Sequence, residues 1–550
     1  MSNISDAGKA PRKRPSAKNS PSKSKRKAPD NRNKRGGENR TDGDKPARKP
    51  DNRRRAHAAR TAAKNEGKSG EHKDGKERYK GDNRDRSGTG SRAGFKRRTQ
   101  NTKDTQRRPS GPSGLEGIAA REAAVVLLSN VLGNRRPLDE ILVNADHFPE
   151  LAKLSKADRG FARAIAATAL RRHGQLLDVI GHFMEKGIPD RAGPLREILI
   201  SAAVQLLFLD SPPHAVINIA VQQVKRDHNS RRYDKLANAV LRRVSEKGPA
   251  IVKEQDAGRL NTPNWLWNSW VRSYGKQHAS YICEAHLHQA QLDLSIKEDP
   301  NDWAKTIGGT MLPTGSLRLK HKGRIENIEG FDDGAWWVQD AAAALPVKLM
   351  GNIKGKRVAD LAAAPGGKTA QMAALGADVT AIDWSAGRLK RLQENLERLE
   401  LDADIHSGDI LKWDPDEKFD AVLLDAPCTS TGTIRRHPDL PYLKRQSDIT
   451  ELARIQSTLL DKALTFVKPG GTLIYCTCSL QDEEGGEQIK ALLKRNKTVK
   501  CDPIKPEELA GREDWITPEG HLRTLPFHRP AEKAAPGMDG FFAARLIVAE

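Results

Sequence analysis

The chain has 550 residues with 94 Lys+Arg, 71 Asp+Glu, a formal net charge of +23 and five cysteines. That length suits several domains, each able to bury a core, and no apolar run reaches the ~20 residues that would span a bilayer. The first 100 residues lack the apolar stretch of a signal peptide, and lone cysteines at 283 and 501 argue against a secreted disulfide framework, so a cytoplasmic protein away from membranes is expected.

The charge is unevenly spread. Residues 1–110 hold 35 of the basic and 13 of the acidic residues, leaving 59 and 58 for residues 111–550. The basic stretch, of which "PRKRPSAKNSPSKSKRKAPDNRNKRGG" is typical, has almost no large apolar residues beyond Met1, Ile4, Tyr79 and Phe95. It cannot bury enough surface to offset the entropy of ordering, so residues 1–113 are expected to form a disordered basic tail. Such a polycation attracts RNA through counterion release with little sequence specificity; the plainer alternative is a solvated tail without a specific role.

Order is expected from near Leu115. In "IAAREAAVVLLSNVL", "SKADRGFARAIAATALRRHGQLLDVIGHFM", "PLREILISAAVQLLFL" and "HAVINIAVQQVKR" apolar residues recur every three or four positions, and Gly or Pro closes each segment. This predicts an all-α bundle over 114–250. Its arginines 171, 172, 231, 232, 242 and 243 either form an RNA-facing surface or belong to solvated helix faces. Residues 251–335 then read as a small α+β linking segment, with an aromatic helix in "TPNWLWNSWVRSYG" and short strands in "QLDLSIKED" and "GSLRLKHKG". At helical spacing Trp265, Trp267 and Trp270 are expected in the core rather than stacked on bases.

Strands and helices alternate through 336–550. The strands "RVADLA", "DVTAID", "DIHSGD", "FDAVLLD", "TLIYCTCS" and "FFAARLIV" are separated by turns and helices such as "WSAGRLKRLQENLERL" and "ITELARIQSTLLDKALTFV". This predicts a Rossmann-like α/β domain, a mostly parallel doubly wound sheet whose ligands bind at the carboxyl ends of the strands.

In "DLAAAPGGKTA" the pair Gly366 and Gly367 lets a ligand approach a helix amino end, but the spacing matches neither phosphate-loop nor full dinucleotide motifs. Asp360, Asp383, Asp409 and Asp425 fall at four strand ends, with Asp383 placed to accept ribose hydroxyls. Acids without a phosphate cradle suit S-adenosyl-L-methionine, a nucleoside carrying a cationic sulfonium. Cys428 in "DAPCTSTGTIRRHPD" and Cys478 in "YCTCSL" face the same edge. Three thiols with no fourth ligand at a familiar spacing make a weak zinc site, so no metal is expected. A thiol pair beside a methyl donor suggests cytosine C5 methylation, because C5 becomes nucleophilic only once a thiolate has added to C6.

The stretches "DLAAAPGGKT", "LLDAPCTSTGTIRRHPD", "YCTCSL" and "GMDGFFAARL" resemble the signature motifs of the Sun (Fmu) family of RNA 5-methylcytosine methyltransferases, and 115–248 resembles the RNA-binding NusB fold. The resemblance implies that Cys478 is the nucleophile and that Cys428 assists breakdown of the covalent adduct. It also implies cofactor contacts at Ala362, Ala363, Ala364, Pro365, Gly366, Gly367, Lys368, Asp383, Asp409 and Asp425, the last near enough to Cys428 to touch the cytosine. Cys476 is expected only to pack in its strand. Arg435 and Arg436 are candidates for RNA contacts, Lys368 for lowering a nearby thiol pKa, and Phe541 and Phe542 for lining a flipped-base pocket or for core packing in equal measure. The chain departs from the family pattern at Ile296–Glu298. The RNA substrate implied is 16S ribosomal RNA or an assembling small subunit, with monomer as the default state. Transfer RNA, DNA cytosine methylation through Cys428, and an assembly factor with an idle methyltransferase domain are the rival readings.

Overall fold

The computed structural model describes residues 117–321, 323–531 and 536–550. The basic tail expected at 1–113 lies outside the described residues. The three- and four-residue apolar spacing of the next segment folds into helices Ile118–Asn134, Lys156–Arg171, His173–Gly181, Leu195–Leu207, Pro213–Arg226 and Asp234–Glu254. Leu127, Leu128, Ile165, Leu199, Val204 and Leu241 are fully buried at their centre, as an amphipathic stripe requires. Ser155 caps one amino end, its hydroxyl accepting from the Asp158 N–H at 3.1 Å. The last helix runs through Gly248 and Pro249, past the expected boundary at 250, because its buried stripe of Val240, Leu241 and Val244 continues to Gly248.

The bundle docks on the domain that follows. Arg171 donates to the carbonyls of His286 (3.3 Å) and Arg435 (3.0 Å), and Arg172 donates to that of Leu287 (3.2 Å). These two arginines, read from sequence as one option for an RNA-facing surface, instead join the two domains. Tyr442 and Leu443, from the far domain, pack against the bundle core, and the Tyr442 hydroxyl donates to the Leu170 carbonyl at 2.9 Å.

Between them, helix Asn264–His286, kinked at Gly275, buries Trp270 completely and packs Trp265 and Trp267 against the same cluster, as expected. Strands β1 (Leu292–Ile296), β2 (Thr310–Met311), β3 (Leu317–Leu319) and β4 (Trp336–Val338) form an antiparallel sheet in the order β2-β3-β1-β4. Trp336–Val338 thus belongs to the linking segment, just past the boundary expected at 335.

The large sheet contains β5 (Arg357–Leu361), β6 (Asp378–Asp383), β7 (Asp404–Ser407), β8 (Phe419–Asp425), β9 (Val467–Thr477), β10 (Val499–Cys501), β11 (Leu522–Thr524) and β12 (Phe541–Val548). Its order is β10-β12-β9-β8-β5-β6-β7, with β11 beside β12. Strands β5 to β9 pair in parallel, and β12 runs antiparallel to β9, β10 and β11. The order reverses at β5, which leaves a crevice at the carboxyl ends of β5, β6 and β8. Among the described residues no helix is long and apolar enough to cross a membrane.

Candidate active site

The turn after β5 is made by Gly366, at φ +102°, where a Cβ would come within 2.7 Å of the Leu392 Cγ. Only glycine suits that conformation and that approach, and it starts helix Gly367–Ala374 at the crevice. Beneath it Asp360 is 1% exposed. One of its oxygens accepts from the Thr369 hydroxyl at 2.6 Å, and the other, Oδ1, is buried without a partner. Burial pushes its pKa up to about 7. A carboxyl raised in the folded state contributes stability that is complete below its unfolded pKa of ~3.9 and is lost as pH rises through the folded value. Asp360→Asn, which does not ionise, is therefore expected to show a smaller fall in melting temperature from about pH 5 to about pH 8 than wild type, as thermal melts at the two pH values will show.

Asp383 ends β6 with its side chain fully buried. Its oxygens accept from the Ala364 N–H (3.2 Å), the Ser385 N–H (2.9 Å) and the Arg388 guanidinium (2.8 Å), the last belonging to a half-exposed side chain. Trp384, the next residue, is 77% exposed. Asp409, just beyond β7, is exposed and accepts from the Leu411 N–H at 3.0 Å.

Asp425, at the end of β8, lies opposite Cys476 on β9. It takes an ion pair from Lys368 at 2.7 Å and the Cys476 thiol at 3.6 Å. Burial raises the Cys476 pKa. This thiol therefore does more than pack: it stays protonated and donates to Asp425. Lys368, also 5.0 Å above the Phe541 ring, has its charge answered by Asp425, which raises its own pKa. Lys368 does lower the pKa of a nearby thiol, that of Cys476, but burial outweighs it and holds that thiol well above the usual range. Phe541 and Phe542 are 3% and 1% exposed, so packing accounts for both.

The sulfurs of Cys428 and Cys478 are 3.5 Å apart. Cys428 is 9% exposed and Cys478 half-buried. The Cys478 sulfur, together with burial and Glu484, raises the Cys428 pKa, so Cys428 keeps its proton, and the two thiols share a contact in which either sulfur can be the donor. Several bonds fix this juxtaposition. The Gly432 N–H donates to the Cys478 carbonyl at 2.9 Å, and the Leu480 N–H to the Thr431 hydroxyl at 2.9 Å. Glu484, fully buried, accepts from the Thr429 N–H (2.9 Å), the Thr429 hydroxyl, the Ser479 hydroxyl (2.5 Å) and the Gln456 amide (3.1 Å). It thus ties the residue after Cys428 to the residue after Cys478. A Cβ on Gly432 would fall 1.9 Å from the Gly540 carbonyl oxygen, so the "MDGFF" loop closes on the same turn.

Arg435 and Arg436, expected as candidates for RNA contacts, are both engaged within the protein. Arg435 is 3% exposed and reaches the carbonyls of Gln289 (3.4 Å) and Pro536 (3.5 Å). Arg436 pairs with Asp539 at 2.8 Å and with Asp340. Asp293, paired bidentately with Arg318 at 2.7 Å and accepting the Ala341 N–H, extends this buried network into the small sheet. Glu484, Asp340 and Asp539 carried no sequence signal of their roles, because their partners lie far away along the chain.

The family described as 16S rRNA methyltransferase RsmB/F matches residues 348–547, and the NusB family matches 118–246. Ribosomal RNA small subunit methyltransferase B of Cronobacter sakazakii is 32% identical over 453 residues, 78% of this chain and 99% of that protein. The protein of the same name from Serratia proteamaculans is 32% identical over 448 residues, 78% and 98% of the two chains. The crystal structure of PH0851 shares the fold with a TM-score of 0.62 at 24% identity, over 80% of this chain and 99% of that one.

Proposed function

The chain belongs to the RsmB/F family of 16S rRNA methyltransferases, and from that premise we propose that it methylates C5 of a cytosine in 16S ribosomal RNA through a covalent bond from Cys478 to C6 of the ring. The observation that carries this reading is the pair of sulfurs 3.5 Å apart, one kept protonated beside the other.

S-adenosylmethionine is the cofactor, supplying when bound an electrophilic methyl carbon on a sulfonium. The residues present fit it. Asp360 offers an unpartnered buried oxygen near the glycine turn, and Gly366, at φ +102°, turns the backbone there into the amino end of a helix at the crevice. Ala362–Lys368, Asp383, Asp409 and Asp425 would hold it in this reading.

The chain's own work is on the cytosine. Cys478, as thiolate, forms the bond to C6, and the ring electrons move toward C5, which becomes enamine-like. Asp425, held in place by Lys368 and Cys476, is set to contact the base edge. After C5 has been methylated a water molecule takes its proton, the C–H electron pair re-forms the C5–C6 double bond, and the C6–S bond breaks with its electron pair returning to sulfur. Cys428, the retained acid 3.5 Å away, protonates the departing sulfur. The base must leave its stack for Cys478 to reach C6.

Nucleoside analysis after incubation of purified protein and S-adenosylmethionine with unmethylated 16S ribosomal RNA, and separately with transfer RNA, tests the substrate. New 5-methylcytosine in the ribosomal RNA is the expected result; methylation of transfer RNA alone would overturn it.

A further inference from the structure

Away from the thiols, a cleft of about 410 Å³ opens between the helical bundle and the methyltransferase domain. Arg135 and Arg196 line it from the bundle, and Lys444 and Arg445 from the opposite side. Among the described residues none of these four has a carboxylate partner, and no carboxylate lines the cleft. Asp448 accepts from the Arg445 backbone N–H at 2.9 Å, not from its guanidinium. A single unpaired surface cation is ordinary. Four converging from two domains on one concavity repel one another, and a polyanion relieves that repulsion.

The remaining walls favour a nucleic acid over an acidic peptide. Trp265 and Tyr442, each half-buried, line the cleft, and His173 packs edge-on against Tyr442 at 5.2 Å between centroids. Burial lowers the His173 pKa to about 4, leaving a neutral ring whose Nε2 lies 3.4 Å from Arg196 Nη2 and accepts from it, which orients that guanidinium. Its Nδ1 is buried without a partner. Flat rings among cations are the pattern that holds single strands, cations on the phosphates and rings on the bases. One wall of the cleft, formed by Pro441, Tyr442, Lys444, Arg445 and Gln446, belongs to the segment that follows Cys428 in the chain.

We infer that this interdomain cleft grips a single-stranded stretch of the substrate RNA, with Arg135, Arg196, Lys444 and Arg445 on its phosphates. The inference rests on RNA being the substrate.

The test uses the full chain, so that the tail is constant, and a labelled single-stranded RNA 12-mer followed by anisotropy across a salt series. Two double variants, Arg135→Ala with Arg196→Ala and Lys444→Ala with Arg445→Ala, are compared with Arg242→Ala plus Arg243→Ala on the outer bundle surface. Each cleft variant is expected to lose affinity and to flatten the dependence of log Kobs on log salt by about 0.7 per cation removed. S-adenosylmethionine binding measured in parallel establishes that the variants are folded. Unchanged slopes in both cleft variants, or an equal loss in the Arg242/Arg243 control, would overturn the inference while leaving the methylation reading intact. Binding of polyglutamate but not RNA, dependent on the same four cations, would also overturn it. A wild-type protein that neither binds nor methylates RNA would instead remove the reading beneath it.

Discussion

Replacing Cys478 with alanine is expected to lower methyl transfer by ~10⁴-fold or more, as loss of a covalent nucleophile does; replacing Cys428 with alanine is expected to leave the protein covalently attached to its RNA. The asymmetry follows from the site. Cys428 is nearly buried and held as a thiol by the neighbouring sulfur and Glu484, a poor state for attack and a good one for donating a proton. Cys478 is the more exposed of the two and sits past the end of β9. Without Cys428 the addition still proceeds, but the departing sulfur has lost its acid. A denaturing gel after incubation with RNA and S-adenosylmethionine reads both outcomes. An adduct that persists without Cys478 and vanishes without Cys428 would reverse the roles, in the manner of a DNA-type enzyme.

Glu484→Ala is expected to destabilise the protein by about 3 kcal/mol and to slow turnover together, because it strands buried donors on both thiol-bearing segments, each costing ~1–3 kcal/mol. The Thr429 N–H and hydroxyl, the Ser479 hydroxyl and the Gln456 amide all converge on this one carboxylate. Glu484→Gln keeps the volume and one acceptor, so it should recover part of both losses. Denaturant melts and steady-state kinetics on the two variants check this. A Glu484→Ala protein with wild-type stability and turnover would mean that the cysteines are held in register by other bonds.

The sequence carries the catalytic domain legibly because most of its strands are short apolar runs bounded by turn residues, and its ligand motifs sit immediately after those runs. Residues 357–361, 378–383, 419–425 and 541–548 form strands where the alternation predicts them. Legibility fails where a side chain's partner is set by tertiary packing. Arg171, Arg172, Arg435 and Arg436 look like RNA contacts in a basic run, yet they join domains or neutralise buried acids. Glu484 reads only as the start of a helix, since Thr429 and Gln456 lie 55 and 28 residues away. Gly248 reads as a helix end, but the buried stripe on either side carries the helix through it.

The most direct measurement of the central claim is to trap the adduct with RNA carrying 5-fluorocytidine at the target. Fluorine at C5 blocks the loss that releases the enzyme, so the covalent bond accumulates and the modified peptide can be mapped by mass spectrometry. The account predicts a methylated fluorocytidine on the peptide containing Cys478, whereas the same mass on the peptide containing Cys428, or no adduct under conditions in which the wild type methylates ordinary RNA, would contradict it.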